Sequence, residues 1–412
     1  VPHGVAPGAN LIALKVFGRA GGTNIANDAI EWCVEANLGR RVSGVAARCD
    51  VINMSLGSNW ANDVASTNSV MRRAVEAGIV VLASAGNSGD VAYITGAPAA
   101  ALHAISVAST FAGGAQTDKI QATYSGRTED VAAAEADPQF APQMAAVGTL
   151  SAPLAWLGRA CTGDESASDV SGRIALIAYG GCTSKEVIDR AQAEGAVGAV
   201  LFNDRDELFT IGSDANEFGQ TVAIPAYAIR LADGTRLRNA VEGGRGVEVL
   251  FSADFKNSLE ADGIGDTISA FSSRGPSRDG DFKPNIGAPG SNIVAPAMGT
   301  GDEPVSLSGT SMASPMAAGA AALLVDRLRR QGRLPADQPM QPGLSPYGIG
   351  AADVGALLIN YVETIWSGSN RGGTPVPLAR GGSGRINVLR SARASTILRA
   401  GTIASVDYGR VQ

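Results

Sequence analysis

The chain has 412 residues, 45% of them hydrophobic and 17% charged, so it can fold as more than one domain around a large core. Its net charge of −6 gives no electrostatic reason to expect a nucleic-acid partner. No run of about 18 apolar residues occurs, which argues against a membrane-spanning helix. Nothing in the composition indicates the oligomeric state.

The first ninety residues alternate between strand and helix patterns. Residues 11–16 form an apolar run after turn residues, which predicts a buried strand of a parallel sheet. A helix is predicted over 27–35 and a second over 64–77, with further apolar strands over 49–57 and 79–87. This alternation predicts an α/β fold with a parallel sheet.

Flexible or polar residues follow two of these predicted strands. Gly57 ends the second strand and Asn87 ends the third. Ligands of parallel sheets bind beyond the carboxyl ends of the strands, so we expect a site at this edge. Taken alone, Asn87 is also explained as an ordinary turn residue after glycine.

A second α/β pattern occupies the middle of the chain. A strand is predicted over 170–177, a helix over 184–194 that ends at Gly195, and further strands over 198–203 and 222–227. No catalytic constellation is evident within this stretch.

Four cysteines are present, and they allow three pairings. Local pairing, Cys33 with Cys49 and Cys161 with Cys182, closes two short loops and fits an oxidising compartment. Four buried free thiols are the alternative. Neither spacing is typical of a zinc knuckle or a redox CxxC motif, so no metal site is predicted.

Ser311 lies between a flexible turn and a helix of small residues, 317–324. A serine there is at the positive end of the helix dipole, which suits a nucleophile whose product is an oxyanion. Taken alone, it is equally a helix-capping serine. A Pro/Gly-rich loop, 334–350, and a helix, 351–361, follow.

The run Gly-Thr-Ser-Met-Ala-Ser-Pro at 309–315, followed by 318–323, closely resembles the nucleophile segment of the subtilisin-like serine proteases, or subtilases. Met316 departs from the pattern, because the family usually has a histidine there, although not the catalytic one. Further segments resemble the family in its own order: 4–7, 50–57, 83–87, 271–276, 283–290 and 382–389.

The resemblance implies a secreted serine endopeptidase that acts on proteins or peptides. It implies Ser311 as the nucleophile and Asn87 as the side-chain donor to the oxyanion. The residues that it places beside the substrate are Ser55, Leu56, Gly57, Ala83, Ser84, Ala85, Gly86 and Thr310. Family members often bind calcium, but no contiguous carboxylate loop assigns a site here, and no other cofactor is indicated.

The resemblance also suggests how the domains are arranged. Asn87 and Ser311 are 224 residues apart (311 − 87), which suggests an insertion. We expect an incomplete catalytic domain over 1–115 and 258–398, an insert over 116–257 and a tail over 399–412. The insert resembles the α/β protease-associated (PA) domain, through the turn at 180–182 and the segment 195–200, and Cys161–Cys182 would be its usual bridge.

The family's base is the feature that this sequence lacks. The family order is Asp, His, Ser, and the only histidines are His3 and His103. His3 directly precedes the segment 4–7, whereas the family's histidine segment should lie upstream of that segment. His103 follows Asn87, which is the wrong order for the family's base. We therefore expect the Asp and His to lie outside this chain and the chain alone to be nearly inert.

Two other hypotheses about the function remain open from the sequence. A non-catalytic relative would bind peptides without cleaving them, although an intact Ser311 and Asn87 argue against it. A sedolisin-type peptidase replaces the histidine with a carboxylate, but that family uses an aspartate where this chain has Asn87.

Overall fold

The computed structural model describes residues 4–18, 21–40, 47–60, 65–112, 116–204, 208–212, 221–256, 258–260, 265–300, 303–336, 338–340, 349–368 and 373–404. Two compact units divide the chain. The first comprises Val1–Ala112, Ser272–Ile365 and Pro375–Gln412, and the second comprises Gly113–Phe271 and Trp366–Thr374.

The helices and strands alternate along both units. The helices are α1 (Ala26–Asn37), α2 (Ala65–Glu76), α3 (Met144–Val147), α4 (Ser184–Ala193), α5 (Leu231–Glu242), α6 (Thr310–Arg330), α7 (Ala351–Asn360), α8 (Leu378–Gly381) and α9 (Val388–Arg393). The strands are β1 (Val51–Met54), β2 (Val80–Ser84), β3 (Ile105–Thr110), β4 (Gln116–Tyr124), β5 (Arg127–Glu135), β6 (Thr149–Gly158), β7 (Ile174–Ala178), β8 (Gly198–Phe202), β9 (Ala226–Ile229), β10 (Glu248–Ser252), β11 (Leu259–Glu260), β12 (Ile286–Pro289), β13 (Ile293–Pro296), β14 (Pro304–Leu307), β15 (Val362–Glu363), β16 (Trp366–Ser367), β17 (Thr374–Pro375) and β18 (Arg385–Ile386).

The first unit is built on a six-stranded sheet in the order β1-β2-β3-β12-β18-β15. The first five of these strands pair in parallel, and β15 pairs antiparallel with β18. Strands β2 and β3 are buried along their whole length, as a parallel sheet requires. The predicted α/β fold with a parallel sheet is therefore confirmed.

The register of β1 and β2 brings two predicted site segments together. Met54 pairs with Ala83 at the carboxyl ends of the two strands. The segments that follow the two strands, 55–57 and 85–87, therefore leave the sheet side by side at the same edge.

Helix α6 packs across the middle of this sheet, against β1, β2, β3 and β12. Four of its nine buried residues are alanines: Ala313, Ala317, Ala320 and Ala321. These short side chains let the helix backbone approach the strands closely while the face remains dry. The N-terminal end of α6 is thereby brought to the carboxyl edge of the sheet.

The strand predicted over residues 11–16 is wrong. The segment has no regular secondary structure, and Leu11 exposes 94% of its surface. An apolar run becomes a strand only where a partner strand and a covering face are available, and no described strand pairs with it. Residues 286–289, within the family-like segment 283–290, form the strand β12, which was not predicted.

The second unit contains a sheet in the order β10-β6-β7-β8-β9-β5-β4-β11. Because β10 pairs with both β6 and β4, seven of these strands close into a barrel. Strands β6 to β9 run parallel, and the other pairings are antiparallel. The predicted elements of the middle region correspond to β7, α4, β8 and β9, but the antiparallel strands were not predicted.

The unit boundaries differ from the predicted domain boundaries. The predicted insert, 116–257, lies within the second unit, which also takes residues 258–271 and 366–374. The predicted tail, 399–412, groups with the first unit. In that tail Arg399 pairs with the Asp353 carboxylate of α7, so its described part is attached to the unit by a side-chain contact.

Both locally paired disulfides are present. Cys33 is bonded to Cys49 in the first unit and Cys161 to Cys182 in the second. Among the described helices, none is long and apolar enough to cross a membrane.

We predict that the first disulfide stabilises α1 by restricting the unfolded chain. Its cysteines are 16 residues apart, and closing a loop of this size is worth about 3 kcal/mol. In the double variant Cys33→Ser/Cys49→Ser, amide hydrogen exchange across α1 should report an opening free energy lower by about this amount. The matched variant Cys161→Ser/Cys182→Ser should leave exchange in α1 unchanged. Equal exchange in the wild type and the first variant would contradict the prediction.

Candidate active site

Ser311 lies inside the first turn of α6. The helix begins at Thr310, with Gly309 as its N-cap residue. The alternative that Ser311 is the helix-capping residue is therefore wrong. Its backbone N–H is among the first-turn amides that have no partner within the helix, at the positive end of the dipole.

The carbonyl of Ser311 lacks its helical partner because of a proline. Pro315 lies inside α6, four residues after Ser311, and has no N–H to donate back. The Ser55 hydroxyl donates to this carbonyl instead, at 2.7 Å. Asn53 on β1 connects the contacts: its amide donates to Ser55 Oγ at 3.1 Å and its Oδ1 accepts from Ser314 Oγ at 2.7 Å.

Asn87 is attached to the start of α6 through its side-chain oxygen. Its Oδ1 accepts from the Thr310 N–H at 2.9 Å and from the Thr310 hydroxyl at 2.7 Å. The Thr310 hydroxyl also accepts from the Gly86 N–H at 3.2 Å. Two donors on Oδ1 determine which way the amide is turned, so Nδ2 is left as a donor on the residue that lines one cavity with Ser311.

These residues surround a cavity of about 190 Å³ at the carboxyl edge of the sheet. Its lining is Leu56, Gly57, Ser58, Asn59, Ser84, Ala85, Gly86, Asn87, Gly96, Thr310 and Ser311. The set contains no charged and no aromatic side chain. Gly57, Asn87 and Ser311 therefore line one cavity at the edge of the sheet where a site was expected.

Two predicted residues lie outside this lining, and three lining residues were not predicted. Ser55 contacts the Ser311 carbonyl rather than the cavity, and Ala83 is fully buried in β2. The unpredicted residues are Ser58, Asn59 and Gly96. Ser58 and Asn59 directly follow Gly57 in the chain, so extending the segment 55–57 by two residues would have included them.

Gly96 is required by close backbone approach. A Cβ atom at this position would lie 1.2 Å from the Ser58 carbonyl oxygen. The Ser58 N–H donates to the Ala97 carbonyl at 2.9 Å, which joins the two walls of the cavity. Only the folded chain shows this constraint, since the two segments are far apart in sequence.

His103 does not line this cavity. Its Nε2 lies 3.1 Å from the Thr402 hydroxyl, and its buried Nδ1 has no hydrogen-bond partner in the described part of the chain. Burial lowers the pKa of His103, Arg72 and Lys283 lower it further, and Glu76 opposes them. His3 lies outside the described residues, so the structure does not address it.

Over the described ranges, no histidine or carboxylate lines the cavity as a base for Ser311. The same ranges hold no group of three or more His, Cys, Asp or Glu side chains suited to a metal ion.

Comparison with known proteins identifies the family. The chain belongs to the subtilases, a family of serine-type peptidases: the Peptidase S8 model, described as the subtilase family, matches residues 2–342. The chain is 31% identical over 326 residues to the minor extracellular protease Vpr of Bacillus subtilis, covering 78% of this chain. It is 28% identical over 346 residues to the C5a peptidase of Streptococcus pyogenes, covering 80% of this chain.

The relatives are longer proteins. The aligned region spans 37% of the Vpr protease and 27% of the C5a peptidase. Among solved structures, the psychrophilic subtilisin-like protease Apa1 of Pseudoalteromonas sp. AS-11 aligns with 92% of this chain and 76% of its own, at 16% identity and a TM-score of 0.43.

We predict that Ser55 and Pro315 are energetically coupled through the Ser311 carbonyl. Ser55→Ala removes the donor that replaces the missing proline N–H, which should cost about 1 kcal/mol of stability. In a Pro315→Ala background the helix can supply its own N–H, so Ser55→Ala should cost much less. Urea denaturation of the four chains gives the coupling energy. Equal costs in the two backgrounds would refute the coupling.

We predict that His103 makes stability fall in acid. Its folded pKa is below the unfolded value of about 6.5, so the unfolded chain binds the proton more tightly. Stability present above about pH 6.5 is therefore lost as the pH falls through the folded pKa. Urea denaturation between about pH 7.5 and 5 should show a steeper loss for the wild type than for His103→Gln. Identical pH slopes would disprove the role.

Proposed function

We propose that this chain carries the nucleophile half of a serine endopeptidase site. Ser311 Oγ attacks the carbonyl carbon of a peptide bond, and the resulting oxyanion is stabilised by Asn87 Nδ2 and the Ser311 N–H. The observation that carries the proposal is the pair of hydrogen bonds from Thr310 to Asn87 Oδ1. They orient the amide donor before any substrate binds, and such preorganisation is what oxyanion stabilisation requires.

The cavity favours an extended, uncharged stretch of substrate. Segments 55–57 and 85–87 leave the sheet side by side, which suits a peptide backbone laid between them. The lining has no charge to pair with a charged side chain. We propose protein or peptide substrates and secretion from the cell, as the extracellular relative and the two disulfides suggest.

The reaction also needs a general base and a carboxylate to orient it. We propose that the family's Asp and His supply these functions from outside the 412 residues. The cost of lacking them is known from subtilisin, a member of this same family: removing its Ser or His alone lowers kcat by about 10⁶-fold, and about 10³–10⁴ over water survives.

For the second unit we propose a protease-associated domain. Its parallel β7–α4–β8–β9 succession and the Cys161–Cys182 bridge support this identity. The bridge joins the loop after β6 to the turn before α4. This proposal is independent of the catalytic one.

We predict that the chain alone hydrolyses a fluorogenic peptide hardly at all, since a serine without a base is a poor nucleophile. Fusing an upstream segment that carries the family's Asp and His should raise the rate by several orders of magnitude. In the fusion, Ser311→Ala should abolish the gain. Asn87→Ala should reduce it by about 10²–10³-fold, the loss known for the corresponding asparagine of subtilisin itself.

Thr310 provides the matched control in the fusion protein. Thr310→Ser keeps the hydroxyl that holds Asn87 and should retain most of the rate, whereas Thr310→Val should lower kcat more than it changes KM. Vigorous proteolysis by the 412-residue chain alone would contradict the need for an external base. A folded fusion that binds peptide without cleaving it would favour the non-catalytic alternative.

A further inference from the structure

Two aromatic side chains are exposed beside the candidate active-site cavity. Trp60 exposes 50% of its surface and Tyr93 exposes 49%, and Val91, two residues before Tyr93, exposes 44%. The cavity lining does not include these three residues. They form an apolar surface, here called the aromatic rim, which the catalytic proposal does not use.

The aromatic rim continues one wall of the cavity outward. Within that wall, the Ser58 N–H donates to the Ala97 carbonyl at 2.9 Å. Two residues further along the same segment, the Trp60 N–H donates to the Ile94 carbonyl at 3.2 Å, and Tyr93 directly precedes Ile94. The rim therefore lies where two hydrogen-bonded segments leave the cavity that their inner residues line. A polypeptide that fills the cavity can reach the rim with a neighbouring side chain.

Both aromatic residues have a backbone conformation that large side chains rarely adopt. The angle φ is 56° at Trp60 and 64° at Tyr93. Among the non-glycine residues of the described ranges, these two are the only aromatic ones with a positive φ. Glycine would fit both positions without strain, whereas a bulky residue there costs stability. Such strain is concentrated at active sites and ligand clamps, which indicates that the two rings have a use beyond the fold.

The strained segment around Tyr93 is fixed to the rest of its unit. The Tyr93 N–H donates to the Gly275 carbonyl at 3.4 Å. The Asp90 carboxylate accepts from Arg274 Nη1 at 3.0 Å and lies 3.5 Å from Arg380 Nη1. The acidic group next to the rim in the chain is therefore balanced by two arginines, and the rim suits an uncharged ligand.

We propose that the aromatic rim binds a large apolar side chain of the polypeptide that occupies the cavity. The site would then select substrates that carry such a residue beside an uncharged stretch. This inference rests on the proposed function, because it takes that polypeptide to be the substrate. Aromatic side chains supply large apolar contact area at low conformational cost. Continuity with the cavity favours the substrate over a second copy of the chain as the occupant.

The test measures peptide binding rather than cleavage. The 412-residue chain carries Ser311→Ala so that peptides stay intact. Calorimetry gives its affinity for capped hexapeptides of alanine and serine in which one phenylalanine is moved through every position. At one position the phenylalanine should tighten binding by about tenfold over the parent peptide, because its side chain becomes buried. That peptide should also shift the tryptophan emission to shorter wavelength, and Trp60→Phe should remove the shift while keeping most of the preference.

Glycine variants separate binding from folding. Trp60→Gly and Tyr93→Gly should reduce the phenylalanine preference to about twofold or less and leave the affinity for the parent peptide unchanged. Trp60→Ala should lose the preference equally. Trp60→Gly should nevertheless unfold at a higher urea concentration than Trp60→Ala, because both lack the ring and only glycine relieves the strain.

Leu38 provides the matched control, since it exposes 56% of its surface at an ordinary φ of −78°. Leu38→Gly should leave the phenylalanine preference unchanged, and it should not unfold at a higher urea concentration than Leu38→Ala.

Three outcomes would overturn the proposal: no phenylalanine preference at any position, a preference that survives in both glycine variants, or an equal loss in Leu38→Gly. A preference created by the cavity itself would give the second outcome. A dimer in sedimentation that requires Trp60, without any peptide preference, would assign the rim to a second copy of the chain. If the glycine variants fail to fold, Trp60→Ala and Trp60→Phe decide by the same binding measurement.

The fusion protein tests the catalytic proposal separately. A rim-dependent preference in binding without cleavage by the fusion would refute the catalytic proposal alone. Cleavage by the fusion without a rim-dependent preference would refute the rim proposal alone.

Discussion

The candidate site depends on one contact, the acceptance of two Thr310 donors by the side-chain oxygen of Asn87. It joins the end of β2 to the beginning of α6 across 223 residues of sequence. An aspartate could accept the same two bonds but would have no amide donor left to offer an oxyanion. The contact therefore both closes the fold at this edge and determines the direction of the remaining donor.

That contact requires the backbone of α6 to come unusually close to the strand ends, and glycines make this approach possible. A Cβ at Gly290 would lie 2.5 Å from Ser109 Oγ and 2.7 Å from the Gly309 carbonyl oxygen. At Gly86, where φ is +109°, it would lie 2.6 Å from Ser273 Oγ. A side chain at Gly290 would push the helix start away from the sheet, so that Ser311 would move away from Asn87, and a side chain at Gly86 would displace the Ser273 hydroxyl.

The sequence predicts those elements whose pattern lies within one short segment. It fails for segments whose structure depends on pairing with another strand. The apolar runs of β1 and β2 and the helices α1 and α2 beside them in the chain carry their own signal, and the structure confirms them. Residues 11–16 carry the same apolar signal, yet Leu11 is exposed because no described strand pairs with the run. The barrel strand β5 was missed for the opposite reason: its apolar residues are consecutive, at 131–134, so no period of two marks it in the sequence.

The same distinction separates the predicted site residues from those that were missed. Ser311, Asn87 and Gly57 belong to short motifs whose residues are consecutive, whereas Gly96 lines the cavity only because Ser58 approaches it from elsewhere in the chain. Pro315 indicates in the sequence that the Ser311 carbonyl lacks its helical donor, but the sequence does not indicate that the Ser55 hydroxyl replaces that donor. Lys283 is the extreme case. Lysine is almost never fully buried without partners. The Lys283 amine donates to the Ala101 and Ala104 carbonyls and to Asn285 Oδ1, and only the folded sheet brings these two parts of the chain together.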